Sequence, residues 1–123
     1  MAHYLFNVSD REQAGRLMRA KTWPVADDER HRDALAPGDL VLIYAGAFLG
    51  RARLASAVHD GAVRLSHVEE WDPPVSMAAV VERVDPTGSN PVVQQNAAAG
   101  FRSGVVLITE SEYEHARLAS QGS

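Results

Sequence analysis

Five histidines, no cysteine and a scatter of serines and paired carboxylates are the chain's reactive side chains. Their spacing offers no catalytic constellation. His31, His59 and His67 stand apart, with no His-Glu-x-x-His helix and no His-x-His pair to hold a metal. The nearest thing to a ligand cluster, His67-Val68-Glu69-Glu70, equally fits a solvated strand end. The lack of cysteine removes thiolate ligands, disulfides and the strongest side-chain nucleophile together. No Gly-x-Ser-x-Gly elbow exists, and Ser56, Ser66 and Ser111 fall in strand-like runs or at a helix start, where hydroxyls do structural work. Asp27-Asp28 and Glu69-Glu70 are sequence neighbours, which usually point apart. No glycine-rich phosphate loop appears. The expectation is a chain with no catalytic residues, no metal site and no cofactor, built to bind.

Charge narrows what it binds. The formal net charge is -4, from 12 basic and 16 acidic residues. Long nucleic acid is held through many phosphate contacts, so this balance weighs against wrapping it, but not against a pocket for one nucleotide. The charge is uneven. Arg11, Arg16, Arg19 and Lys21 face only Glu12 in one segment, while acids gather at Asp27–Glu29, Glu69–Asp72 and Glu110–Glu114. A plain solvated helix face is the competing account of the basic segment.

The elements that must position any site can be read from the pattern. His3 to Val8 is a short aromatic and apolar run, a first strand. Ser9 and Glu12 have capping-box spacing ahead of Ala14, Leu17 and Met18, which recur at helical intervals to about Ala20. Trp23 precedes Pro24 and is pushed into extended geometry. Asp27 to Leu35 reads as a short second helix. Pro37-Gly38-Asp39 turns the chain into the strand Leu40–Tyr44, followed by a strand from Phe48 to Val58, a hairpin turn at Asp60-Gly61 and a strand from Ala62 to Ser66. Val75, Met77, Ala79 and Val81 at a spacing of two suggest a half-buried strand over Pro74–Val84. Asp85 to Pro91 is a polar loop. Gly104–Ile108 is the last strand, and Thr109 with Glu112 caps a final helix stapled by Ile108 and Tyr113.

One domain over residues 1–123 follows, α+β and mostly β, a bent sheet or open barrel with helices packed at its ends and sequentially antiparallel strands. The longest apolar runs, such as Leu40 to Ala47, are too short to span a bilayer, and the opening residues lack a signal-peptide pattern. The expectation is a soluble, cytoplasmic protein with no membrane partner, its oligomeric state open.

Several blocks resemble a known group. Tyr4-Leu5-Phe6-Asn7-Val8-Ser9-Asp10, a helix, then Lys21-Thr22-Trp23-Pro24 looks like the opening of EVE and YTH modules. Leu35-Ala36-Pro37-Gly38-Asp39-Leu40-Val41-Leu42-Ile43-Tyr44 resembles the EVE turn and strand, and Phe48-Leu49-Gly50-Arg51-Ala52-Arg53-Leu54 the strand after it. Phe101-Arg102-Ser103-Gly104, leading to Ile108-Thr109-Glu110, is similar to the EVE ending. The likeness is densest from residue 3 to about 58 and implies a single PUA-like EVE domain.

That resemblance implies a reader of DNA or RNA carrying a modified base, held in an aromatic cage. Trp23 would be the first cage wall, the Pro24 carbonyl would accept from the base's exocyclic amine, and Ser9 and Gln13 would address its edge. Asn7 stands where the YTH pattern has lysine, and Trp71 is the candidate second wall. Arg19, Lys21 and Arg102 would meet phosphates. Two other readings compete: a PUA-like RNA-binding module indifferent to modification, and an ASCH-type hydrolase of modified nucleosides centred on Lys21, the chain's one lysine. Covering the core edge is the alternative duty for Trp23.

Overall fold

Alternate residues of the first strand face opposite ways, and both sides are apolar, so the chain needs a layer on each. The computed structural model describes residues 2–29, 31–84, 87–88 and 104–120. Strand β1 (His3–Asn7) sends Tyr4 and Phe6 to one core and Leu5 to another. Strand β3 (Leu40–Tyr44) lies beside it in parallel and does the same, with Val41 and Ile43 on one side and Leu42 and Tyr44 on the other. Near-continuous apolar runs are the mark of strands covered on both faces.

Around this pair the sheet grows to six strands. The remaining members are β2 (Thr22–Pro24), β4 (Phe48–Leu54), β5 (Ala62–Val75) and β6 (Gly104–Ile108), in the order β2-β5-β4-β3-β1-β6. All pairings except β1 with β3 are antiparallel. The sheet curls into a half-barrel flanked by helices, the mostly β α+β class expected from the sequence. The sequentially antiparallel order is corrected at one place. Helix α1 (Arg11–Ala20) and β2 carry the chain across, so β3 returns parallel to β1. Helix α1 covers one core through Ala14 and Met18; α2 (Met77–Val84) and α3 (Glu110–Ser120) cover the other through Val80, Tyr113 and Ala116.

Caps explain where the helices begin. Asp10, not Ser9, caps α1: its Oδ1 accepts from the amides of Glu12 at 2.9 Å and Gln13 at 3.3 Å. A carboxylate here also faces the positive end of the helix dipole, so it displaces the neighbouring hydroxyl from the role. The second capping box is as expected. The Glu112 amide donates to Thr109 Oγ1 at 3.1 Å, and the Thr109 amide donates back to Glu112 Oε1 at 3.2 Å. Ile108 and Tyr113 are both buried behind it. Thr109→Ala is expected to cost about 1 kcal/mol, read as a lowered urea midpoint with an unchanged slope.

Several expected elements differ: the strand expected over Phe48–Val58 stops at Leu54, and the one expected over Ala62–Ser66 runs on to Val75. The described residues of Asp27–Leu35 form turns and one 3₁₀ turn at Arg32–Ala34 instead of a helix. Leu35 is the only large apolar residue there, so a helix would have no face to bury and would be too short to stand alone. Pro74–Val84 is not one strand: β5 runs on to Val75, and α2 begins at Met77, with the Ser76 hydroxyl accepting from the Ala79 amide at 3.2 Å. The period-two apolar residues also fit a helix, and buried Val80 fixes which face points inward. The Asp60-Gly61 turn is as expected, with φ of 53° and 74°, the left-handed pair of a tight hairpin. Most of the expected loop over Asp85–Pro91 lies outside the described residues.

Candidate functional site

Strands β2 and β6 are the two outermost in the sheet order, and a half-barrel leaves a gap between its rims. A hollow of about 300 Å³ occupies that gap, reached from β2 by Trp23 and Pro24, from β6 by Gly104 and Val105, and from the end of β1 by Asn7. Ser9 and Gln13 close it from the start of α1. Because Asp10 caps that helix, the Ser9 hydroxyl carries no capping bond and is left to the hollow.

Trp23 forms the apolar floor. Its residue is 3% exposed and the indole packs on Phe6, with ring centroids 5.5 Å apart and planes 30° apart. Pairing of Trp23 with Val63 across β2 and β5 holds it there, in a strand instead of the expected loop. The polar lining is Asn7, Ser9, Gln13 and Glu29. Glu29 sits close over the start of β6: a Cβ on Gly104 would come within 2.6 Å of its Oε2. The carboxylate tip could swing aside from such a Cβ, but Gly104 also has a φ of +104°, and it is this that calls for glycine. A carboxylate in the lining can accept from a ligand edge that donates N–H.

The shifted ionisations lie elsewhere. Burial, then Asp39, raises Tyr4, and burial raises Tyr113 against the pull of Arg51. Arg51 keeps its charge although burial opposes it, because Glu69 accepts from its Nε at 2.7 Å. The Arg117 guanidinium lowers Glu114. Arg51, Glu69 and Tyr113 join α3 to the β4–β5 pair, Tyr4 stands on β1, and none of these groups lines the hollow.

Asn7, Ser9, Gln13, Trp23 and Pro24, singled out in the sequence, therefore meet at one place. The aromatic cage does not exist among the described residues. One ring lines the hollow, and it is sunk against the core. Trp71 is 7% exposed on the opposite face of the sheet, among Leu5, Phe48 and Val75, and its buried Nε1 has no hydrogen-bond partner. Its place in β5 after a bulge, which decides the face, is invisible to residue spacing. Arg19 is exposed on α1, Lys21 lines a different cavity, and Arg102 lies outside the described residues. Glu29 and Gly104 were missed, since nothing in their spacing links a turn to the last strand. Among the described residues no group of three His, Asp or Glu side chains could hold a metal, and no helix is long and apolar enough to cross a membrane.

No family model matches the sequence, and no curated protein does. Solved structures do. Human THYN1, in complex with DNA containing 5-methylcytosine, is 10% identical with a TM-score of 0.72, covering 100% of this chain and 99% of that one. The fold is shared. The YTH domain of Mmi1, in complex with RNA, is 14% identical with a TM-score of 0.61 over 98% of this chain and 76% of that one. A hypothetical protein from Leishmania major reaches 0.71 at 16% identity, over 98% and 95%. The likeness read from the sequence holds for the architecture alone, a curled half-barrel shared with the Mmi1 YTH domain and THYN1.

Proposed function

We propose that the chain is a nucleic-acid-binding module that seats one nucleotide edge in the hollow between β2 and β6 and is indifferent to base modification. The observation that carries this reading is the lining: among the described residues, three neutral polar side chains and a carboxylate around a single, core-bound indole. Fixed polar groups select an edge by hydrogen bonds, because a mismatched partner leaves them unpaired. Selecting a methyl group by stacking needs a second aromatic wall, and Trp71 is on the wrong side of the sheet to supply one. A buried methyl alone is worth about 0.8 kcal/mol, near fourfold in affinity. The fold shared with proteins solved with RNA and with DNA supports the ligand class. The acidic net charge supports a short footprint over a wrapped one.

The test is fluorescence anisotropy with short single-stranded RNA and DNA, each with and without methylated bases. Binding should fall with salt at the shallow slope of a few phosphate contacts, and methylated and plain strands should agree within about fourfold. Ser9→Ala with Gln13→Ala should weaken all strands about tenfold, the size of one or two lost hydrogen bonds. Absence of binding by every strand, or a hundredfold preference for methylated ones, would overturn the reading.

A further inference from the structure

The outer side of the β2 rim carries a second cavity, of about 520 Å³, which the hollow's account does not use. Its lining includes Lys21, Thr22, Ser56, His59, Asp60 and Arg64. We propose that this groove, extended by Arg53, is a phosphodiester track that holds the strand flanking the nucleotide in the hollow. The proposal rests on the nucleic-acid reading above.

Strand alternation separates the two cavities. Trp23 pairs with Val63, which is fully buried, and Thr22 pairs with Arg64, which is exposed, so the first pair faces the core and the second faces out. Both cavities draw lining from the short strand β2, the hollow from Trp23 and Pro24 and the groove from Thr22. Lys21 ends α1 in a left-handed conformation, φ 59°, and its carbonyl accepts from the Leu65 amide at 2.9 Å, which fixes it beside Arg64. The turn opposite is equally fixed: Ser56 Oγ accepts from the Arg64 amide at 3.0 Å and donates to the Ala57 carbonyl at 2.9 Å. Arg53 pairs with Ser66, two residues along β5 from Arg64, and so lies on the same face.

Placement on one face, not pairing alone, sets these three cations apart from Arg11, Arg16, Arg19 and Arg83, which are also exposed and without an ion pair among the described residues. Arg32, Arg51 and Arg117 each have a carboxylate partner. Lys21, Arg53 and Arg64 are exposed and have no ion pair among the described residues. The one acid lining the groove among the described residues, Asp60, has its Oδ2 3.2 Å from His59 Nε2. The ligand chemistry divides accordingly. The carboxylate-bearing hollow suits a base edge, and the cationic groove suits the backbone that joins one base to the next.

The experiment titrates a nine-nucleotide single-stranded RNA against the whole chain over a range of salt. Lys21→Ala with Arg64→Ala should weaken binding at least tenfold at low salt. The slope of log affinity against log salt should shrink by about 1.4, two contacts at about 0.7 each. The loss should be the same for strands of different sequence. Lys21→Arg with Arg64→Lys keeps both charges and should restore the slope, which separates charge from any damage to the fold. Ser9→Ala with Gln13→Ala should weaken binding and leave the slope unchanged. If the double alanine variant binds with wild-type affinity and slope, the track is wrong and the nucleic-acid reading stands. If wild type binds no strand at all, both fall together.

Discussion

Gly50→Ala is expected to destabilise the fold by more than about 3 kcal/mol, a large share of the roughly 5–15 kcal/mol of a domain this size. The cause is space, since an added Cβ would collide with the Glu69 carbonyl on β5 and come within 2.7 Å of Met18 Cε. The methionine tip can swing aside. The carbonyl cannot, because it belongs to a strand whose neighbours Glu70 and Glu69 are in register with Gly50 and Arg51. Gly61→Ala is the proper control: that glycine has a φ of +74° and nothing within reach of its Cβ, so only the left-handed penalty of about 1–2 kcal/mol applies. Urea unfolding of both variants reads the difference. A Gly50→Ala midpoint close to that of Gly61→Ala would mean that β4 and β5 do not pack this closely.

The position of Gly50 also explains what was legible in the sequence. The block Phe48-Leu49-Gly50-Arg51-Ala52-Arg53-Leu54 carried the resemblance, and its distinctive members are packing residues: Phe48, Ala52 and Leu54 are at most 2% exposed. In Pro37-Gly38-Asp39 the aspartate is buried, accepting from the amides of Ala2 and Ala36, each at 3.1 Å. Trp23 packs in the same core as Ala52 and Leu54, and Phe48 packs in the other. These motifs therefore report how the half-barrel closes, which is why the fold could be read from them and the aromatic cage could not. A cage needs two rings on one side of a sheet. Which side Trp71 takes depends on β5's register shifts against β4, and the left-handed φ of 50° at exposed His67 marks the irregular stretch. Periodicity is blind to such a slip, since one extra residue exchanges the faces of everything after it. The same blindness hid the groove, because Lys21, Arg53 and Arg64 share a face only through strand pairing.

Trp23→Ala is the other large effect, and its value lies in what it separates. A ring kept for stacking on a base would stand exposed, and removing it would spare stability. This indole is 3% exposed, lies against Phe6 and is paired across the sheet with fully buried Val63. Truncation should then cost about 3–5 kcal/mol, the usual penalty for emptying an aromatic site in a core that cannot collapse into it. Trp23→Phe keeps a flat apolar floor and should cost less. In that variant, methylated and plain strands should bind with equal loss, because the floor supports the hollow without sandwiching a base. Urea midpoints and anisotropy on the same preparations read the two quantities independently. Unchanged stability in Trp23→Ala, with a methyl-specific loss of binding, would return the ring to the ligand and take away the core-bound floor on which the modification-blind reading depends.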